Sequence, residues 1–240
     1  MRNLKMTMEY DGTDYSGWQI QPRLRTVQGV LTEALSTLTC EKITLTGAGR
    51  TDAGVHAYGQ VANFRTANRM KAESLRKSLN SVLPKDIHIR EMSEVPSGFN
   101  SRYDARSKVY EYRVLCGTSP LRRHYTWQTK YALDLECMNG SAQYLLGLHD
   151  LSSFTVEPKG DSMVHVLGVG WRTVEDELVF RVQADRFLNR LVRMMVGRMV
   201  EIGRGRFDPE VMAELIEKKK KGAATPTAPA HGLYLVRVNY

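Results

Sequence analysis

The sequence places a carboxylate, a guanidinium and an imidazole within one short glycine-rich stretch. Residues 47–57 read Gly-Ala-Gly-Arg-Thr-Asp-Ala-Gly-Val-His-Ala, in which Asp52, Arg50 and His56 carry the reactive groups. The three glycines allow tight or left-handed backbone, so the stretch can direct these side chains into one cleft. Asp52 is the first candidate for a nucleophile or a general base. The alternative is an ordinary turn, because Asp-x-Gly is common turn chemistry.

The same stretch does not fit the usual nucleotide-binding or metal-binding patterns. A dinucleotide fingerprint needs glycine where Asp52 stands, and a P-loop needs a lysine followed by serine or threonine. Both patterns also require a helix directly afterwards, whereas residues 58–66 look like a strand. The spacing matches no familiar set of metal ligands, so we expect no metal.

Composition and charge narrow the class of protein. The chain has 240 residues with 42% hydrophobic content, enough for one large domain or two small ones with a genuine core. Its formal net charge of +8 makes a polyanion the first partner to consider. The three cysteines form no close pair, which fits neither a disulfide framework nor a zinc ribbon. No apolar run reaches membrane-spanning length, so we expect a cytoplasmic protein with no membrane partner.

Hydrophobic periodicity in the first half predicts the order β-α-β-β-α-β. Helix 27–38 is expected to be capped by Thr26, and helix 72–82 to be stopped by Pro84. The predicted strands are 4–10, 42–46, 60–66 and one starting at residue 87.

The second half repeats this order of elements. Strands are predicted at 107–116, 164–174, 178–185 and 233–240, with helices at 135–146 and 188–202 and a short helix started by Asp208 and Pro209. The repeat predicts an α+β protein of two ferredoxin-like (RRM-like) halves with mostly antiparallel sheets. We place the halves at residues 1–105 and 106–240.

Two further groups of side chains in the second half could contact a nucleic acid. Lys108, Tyr110 and Tyr112 share one face of a strand, where tyrosines either stack on a base or belong to the core. Helix 188–202 has an apolar face and an opposite face with arginines around Gly197, namely Arg186, Arg190, Arg193 and Arg204. Such a face either binds an anion or is solvated. The lysines at 218–221 are expected to be solvated at a helix end, with RNA contact as the alternative.

Several stretches together carry a family resemblance. They are Tyr-Asp-Gly-Thr at 10–13, Gly-Trp-Gln at 17–19, Thr-Val-Gln-Gly at 26–29, the stretch 47–57, Gly-Gln-Val at 59–61, Lys-Val-Tyr-Glu-Tyr at 108–112, residues 187–197 and Gly-Leu at 232–233. In this order the chain resembles the bacterial tRNA pseudouridine synthase A family, the tRNA pseudouridine(38-40) synthases. The sequence at 47–57 is highly specific for this family. The other stretches are weak indications when taken singly but strong when taken together.

The resemblance implies a role for each matching residue. Asp52 would be the catalytic aspartate, Arg50 would help to position it, and Tyr110 would stack on the target uracil. Arg193 would pair with the catalytic carboxylate, and Leu233 would pack at the floor of the site. Ala230 stands where the family usually has proline. His56, Lys108, Arg186 and Arg190 are candidate RNA contacts.

The resemblance also implies an activity and partners. Uridine at positions 38–40 of the tRNA anticodon stem-loop would be isomerised to pseudouridine in a cleft between the two halves. No cofactor would be needed, and a homodimer would bind the tRNA across both subunits. Whether Asp52 attacks the ribose or abstracts a proton to give a glycal stays open.

Two other functions remain alternatives. A non-catalytic RNA-binding protein could use the same basic residues and tyrosines. A nucleoside or glycoside hydrolase would also place a carboxylate at a glycosidic bond, but it normally needs a second carboxylate, and none stands out near Asp52.

Overall fold

The computed structural model describes residues 1–156, 160–224 and 226–240. The chain divides into two compact units: unit 1 comprises Met1–Arg106 and Leu235–Tyr240, and unit 2 comprises Ser107–Tyr234. The last six residues therefore lie in unit 1, whereas the predicted second half included them. Within the described ranges, no helix is long and apolar enough to cross a membrane.

Unit 1 has the ferredoxin-like order of elements. These are β1 (Arg2–Tyr10), α1 (Val27–Thr39), β2 (Thr46–Gly47), β3 (His56–Thr66), α2 (Ala72–Val82) and β4 (Ile87–Val95). Strand β1 pairs antiparallel with both β3 and β4, and β2 pairs antiparallel with β3. The last strand of the chain, β10 (Leu233–Asn239), lies next to β3 and belongs to unit 1 from Leu235 onward.

The core of unit 1 follows from the alternation along β1. Leu4, Met6 and Met8 are completely buried, because every second side chain of the strand lies on the same face of the sheet. Each such side chain contributes on the order of 1.5–3 kcal/mol through removal from water. Thr26 caps α1 as predicted, since its side chain accepts a hydrogen bond from the Gly29 backbone N–H at 3.2 Å.

Unit 2 is built on mostly antiparallel strands. Its elements are β5 (Ser107–Cys116), β6 (Trp127–Thr129), α3 (Leu135–Gln143), β7 (Gly147–Asp150), β8 (Met163–Val174), β9 (Glu177–Ala184), α4 (Leu191–Gly203) and α5 (Val211–Lys218). The strands follow the order β5-β9-β8-β7 with antiparallel pairing, and β6 pairs parallel with β5. The predicted α+β class with mostly antiparallel sheets is confirmed.

One predicted strand of unit 1 is wrong. Strand β2 contains only two residues, and residues 42–45 are irregular. Their backbone groups are bonded by side chains of α1 instead of by a neighbouring strand: Ser36 Oγ accepts from the Ile43 N–H at 3.2 Å, and Gln28 Nε2 donates to the Leu45 carbonyl at 2.9 Å. Sequence alternation cannot show such bonds, because they join positions far apart along the chain.

The helices of unit 2 differ from prediction at their ends. Helix α4 begins at Leu191, not at residue 188, because Arg190 has a left-handed backbone with φ 62°. Helix α3 ends at Gln143, not at residue 146, and a turn with Gly147 at φ 99° follows. Helix α5 begins at Val211, whose N–H is bonded to the Asp208 carbonyl at 3.2 Å in a preceding turn. The short strands β6 and β7 were not predicted.

Candidate active site

Asp52 lies in a loop, residues 48–55, that joins β2 to β3 in unit 1. The loop backbone is bonded to its surroundings near both ends: Ala48 N–H donates to the Val61 carbonyl at 2.8 Å, and Gly54 N–H donates to the Tyr15 carbonyl at 3.3 Å. Within it, Val55 N–H donates to the Asp52 carbonyl at 3.2 Å and closes a turn. We call this segment the Asp52 loop.

Thr51 fixes the middle of the Asp52 loop. Its carbonyl accepts from the Trp18 N–H at 3.0 Å, and its hydroxyl lies 2.8 Å from the Tyr10 hydroxyl. Burial raises the pKa of Tyr10 to about 12, although its hydrogen bonds to Thr51 and Gln60 act in the opposite direction. The residue before Asp52 is therefore attached to both the first strand and the loop around Trp18.

Glycines let neighbouring backbone approach this loop closely. Gly17 has φ 87°, and a Cβ there would stand 2.6 Å from the Thr51 carbonyl oxygen. Of the glycines within residues 47–57, Gly54 has a positive φ, at 77°. Gly47 instead makes room for the Trp18 ring, which would lie 2.6 Å from an added Cβ. The predicted use of glycine holds at Gly54, whereas Gly47 is needed for packing.

The three reactive side chains of this stretch differ in exposure. Arg50 is exposed, Asp52 is half-buried, and His56 is buried as the first residue of β3. His56 Nδ1 accepts a hydrogen bond from the Gly12 N–H at 3.0 Å and lies 3.2 Å from Asp11 Oδ1. Such burial argues against the direct RNA contact expected of His56. The histidine instead links β3 to the segment that follows β1.

In unit 2, the two tyrosines of β5 have different surroundings. Tyr110 is 7% exposed and meets the Phe187 ring edge-on, with ring centroids 4.7 Å apart. Tyr112 is fully buried, and its hydroxyl donates to the Pro229 carbonyl at 2.8 Å. Burial raises the pKa of Tyr112 well above its usual value, and the charge of Arg193 acts in the opposite direction. Lys108, on the same strand face, is half-buried.

Arg193 is held by the segment that precedes β10. Its Nε donates to the Ala228 carbonyl at 2.8 Å, and the Ala228 N–H donates to the Arg193 carbonyl at 2.9 Å. Next to it, a Cβ on Gly197 would lie 1.8 Å from the Pro226 carbonyl oxygen. Gly197 therefore admits a close neighbour, as its place in a helix suggests, but that neighbour is backbone.

The predicted arginine face of this helix is wrong. Every residue of α4 except Arg193 is buried, so the helix has no solvated side. Arg186 and Arg190 precede the helix and are exposed. Arg204 lies over the Tyr131 ring at 3.5 Å and pairs with Glu201 at 2.6 Å.

Arg198, an arginine of α4 that the structure shows to be buried, was not singled out from the sequence. It is 8% exposed, lies 4.4 Å above the Phe207 ring centroid, and has its pKa lowered by burial. The lysines at 218–221 are exposed, as expected.

Leu233 is buried at the start of β10. Gly232 before it fits against the Tyr112 ring, which would lie 2.7 Å from an added Cβ. The segment 226–233 therefore contacts both Tyr112 and Arg193 within unit 2. Among the residues that the structure describes, no group of three or more His, Cys, Asp or Glu side chains could hold a metal ion.

Comparison with known proteins identifies the family. The family model described as tRNA pseudouridine synthase matches residues 6–104 and 141–240. A tRNA pseudouridine synthase A of Acetivibrio thermocellus is 42% identical over 244 residues, with all of both chains covered. Those of Exiguobacterium sibiricum and Anoxybacillus flavithermus are each 41% identical, covering all of this chain and 97% and 99% of theirs. The chain, with its glycine-supported Asp52 loop, therefore belongs to the tRNA pseudouridine synthase family and is an isomerase.

Proposed function

We propose that this chain converts uridine to pseudouridine at positions 38–40 of the tRNA anticodon stem-loop, with Asp52 as the catalytic carboxylate. The observation that carries the proposal is the way the Asp52 loop is held. Thr51 is bonded to Tyr10 and Trp18, and Gly17 lies directly against it. A catalytic group must be held close to its productive geometry, and this loop supplies such support on the side of Thr51.

The reaction is an isomerisation, so pseudouridine contains the same number of each kind of atom as uridine. The bond from ribose C1′ to uracil N1 breaks, the uracil turns while it is held, and C1′ is joined to C5. The proton leaves C5, and N1 ends with a proton. A carboxylate suits this sequence because it can act on the sugar or take up a proton. The uridine must also leave the helical stack, which costs a few kcal/mol and less in a loop.

Further residues take their proposed roles from the family resemblance. Tyr110 would stack on the uracil, and its edge contact with Phe187 supports a fixed ring orientation. Arg193 would pair with the Asp52 carboxylate, and the bond from its Nε to Ala228 supports a fixed guanidinium plane. Arg50 and Leu233 would support the site. Lys108, Arg186 and Arg190 stay candidate contacts to RNA, with Arg186 and Arg190 exposed as such contacts require.

We also propose that the protein works as a cytoplasmic homodimer on tRNA. The homodimer rests on the family resemblance. The reducing compartment agrees with free cysteines at positions 40, 116 and 137. The family assignment as an isomerase replaces the alternatives of a non-catalytic RNA-binding protein and a hydrolase.

The test uses tRNA transcripts in which a single uridine, at position 38, 39 or 40, carries tritium at C5. We expect tritium release from these transcripts and none from a transcript labelled only in the acceptor stem. Release from the acceptor-stem label alone would contradict the proposed positions. Chromatography of the digested RNA checks the chemistry, because free uracil in place of pseudouridine would point to a hydrolase.

A further inference from the structure

A polar groove lies at the edge of unit 1 near β2. It has a volume of about 360 Å³ and lies between residues 42–46 and the loop that follows β4. Among the described residues that line it are two cations and two hydroxyl groups, on Lys42, Arg65, Thr44 and Thr46, and no acidic side chain. Such a set of donors favours an anion.

Buried amides fix one wall of this groove. Asn63 Nδ2 donates to Asn3 Oδ1 at 3.0 Å, and Asn3 Nδ2 donates to the Phe99 carbonyl at 2.8 Å. Asn63 Oδ1 in turn accepts from the Ser101 N–H at 2.8 Å. Both asparagines are buried, so the loop after β4 is attached to the sheet at several points. The groove therefore exists before any ligand binds.

The cations of the groove have different settings. Arg65 Nη2 donates to the Ser97 carbonyl at 2.9 Å, which restricts the guanidinium while its exposed part faces solvent. A guanidinium held in this way loses less entropy when it binds a phosphate with its remaining N–H groups. Lys42 is exposed and can add a second charge.

Glu41 is adjacent to Lys42 along the chain but does not line the groove. Its carboxylate keeps its charge and is directed to the end of β3, where it accepts hydrogen bonds from the Thr66 hydroxyl at 2.7 Å and from the Ala67 N–H at 3.1 Å. The charged side chains of the groove lining are therefore the cations Lys42 and Arg65.

The groove is close to Asp52 along the chain. Thr46, which lines it, precedes Asp52 by only six residues, so the two Cα atoms lie no more than about 22 Å apart even for fully extended backbone. One RNA molecule can span such a distance. A phosphate in the groove can therefore belong to the same RNA molecule as the uridine that we propose at Asp52.

We propose that this groove binds a backbone phosphate of the substrate RNA, with Arg65 and Lys42 as its cationic ligands. The proposal rests on the proposed function in that it takes tRNA as the polyanion. Because the contact is to phosphate, it contributes affinity and register and carries no base specificity.

The test measures binding of a full-length tRNA transcript at several salt concentrations. The variants are Lys42→Ala, Arg65→Gln and the double variant. Lys77→Ala is the matched control, since Lys77 is a 72% exposed lysine on α2, away from the groove lining. Each lost phosphate contact should reduce the slope of log affinity against log salt by about 0.7 to 0.9. We expect the double variant to bind about tenfold more weakly, and Lys77→Ala to bind like the wild type.

A second readout separates this proposal from the proposed function. At saturating protein, the single-turnover rate of the double variant should equal that of the wild type, because the chemical step does not use the groove. Unchanged affinity and salt slope in the double variant would overturn the groove proposal even while the wild type forms pseudouridine. Absence of pseudouridine with wild-type protein would contradict the proposed function instead, and the binding data would still decide the groove.

Discussion

The Asp52 loop of unit 1 and helix α4 of unit 2 both depend on a glycine that touches another backbone, but the two glycines have different conformations. In unit 1, Gly17 and Gly54 lie in loops full of turn residues, and both have positive φ. In α4, Gly197 has helical neighbours and meets Pro226, a residue about thirty positions later. The turn residues around Gly17 and Gly54 indicate their backbone conformation, whereas neither backbone contact could be located from the sequence, because each partner lies about thirty positions away.

The Asp52 loop and Arg193 also differ in the bonds that fix them. The Asp52 loop is fixed by bonds to Tyr10, Tyr15 and Trp18, which lie at the end of β1 and in the loop that follows it. Arg193 is fixed by Ala228, which lies in an irregular segment before β10. An added Cβ would lie 1.8 Å from backbone at Gly197 and 2.6 Å from backbone at Gly17, so we expect the support of Arg193 to be more sensitive to a single added methyl group than the support of Asp52.

The largest effect is expected from Gly197→Ala. The added Cβ would lie 1.8 Å from a backbone oxygen that cannot rotate away, and overpacking of this kind costs about 3 kcal/mol or more. Thermal unfolding and turnover measure the result. Gly140→Ala in α3 is the matched control, since nothing lies within 4 Å of its Cβ and alanine favours a helix by about 1 kcal/mol. Equal stability and turnover of the two variants would contradict a requirement for glycine at position 197 of α4.

A smaller loss of folding stability is expected from Gly17→Ala. Its left-handed backbone costs an alanine about 1–2 kcal/mol, and contact with the Thr51 carbonyl at 2.6 Å adds to this. We expect the free energy of unfolding to fall by about 2–3 kcal/mol in total. Gly205→Ala supplies the control, because Gly205 also has a positive φ but no atom near its Cβ. If both variants lose equal stability, Gly17 acts through its backbone conformation alone.

Tyr10→Phe should show a loss that depends on pH. At neutral pH the lost hydroxyl contact to Thr51 should cost about 1 kcal/mol. The pKa of Tyr10 is raised from 10.0 to about 12 in the folded protein, so folding favours the neutral phenol. The wild type should therefore lose up to about 2.7 kcal/mol of stability through this group as pH rises from 10 to 12.

The phenylalanine variant lacks the ionisable group at this position. Its denaturant midpoints should fall less steeply than those of the wild type over the same pH range. Parallel curves for the two proteins would show that Tyr10 does not ionise on unfolding in this range.

The smallest effect is expected from Lys219→Ala together with Lys220→Ala. Both side chains are exposed at the end of α5, and surface substitutions of this kind usually change stability by less than about 0.5 kcal/mol. Thermal unfolding of the double variant and the wild type measures this change in stability. A large loss of tRNA affinity in this variant would instead place these lysines in the RNA contact left open as their alternative role.

The sequence predicted the elements whose patterns are local. Strand β5 has the predicted bounds, and α1 begins after its predicted cap, Thr26, because alternation and capping depend on neighbouring residues. The family resemblance supplied Asp52 and Arg193, which spacing alone left open. The predicted face of α4 was wrong, and the burial of His56 was not foreseen, since burial at both places comes from segments distant in sequence.

The central claim is that Asp52 performs the chemistry, and tritium release from tRNA tests it most directly. Wild-type protein and the Asp52→Asn variant are compared in single turnover with tRNA transcripts that carry 5-tritiated uridine. Asp14→Asn, which alters an exposed aspartate in a nearby loop, is the matched control. We predict at least about a thousandfold slower release for Asp52→Asn, with tRNA affinity nearly unchanged and Asp14→Asn like the wild type. Release at the wild-type rate by Asp52→Asn would contradict the account.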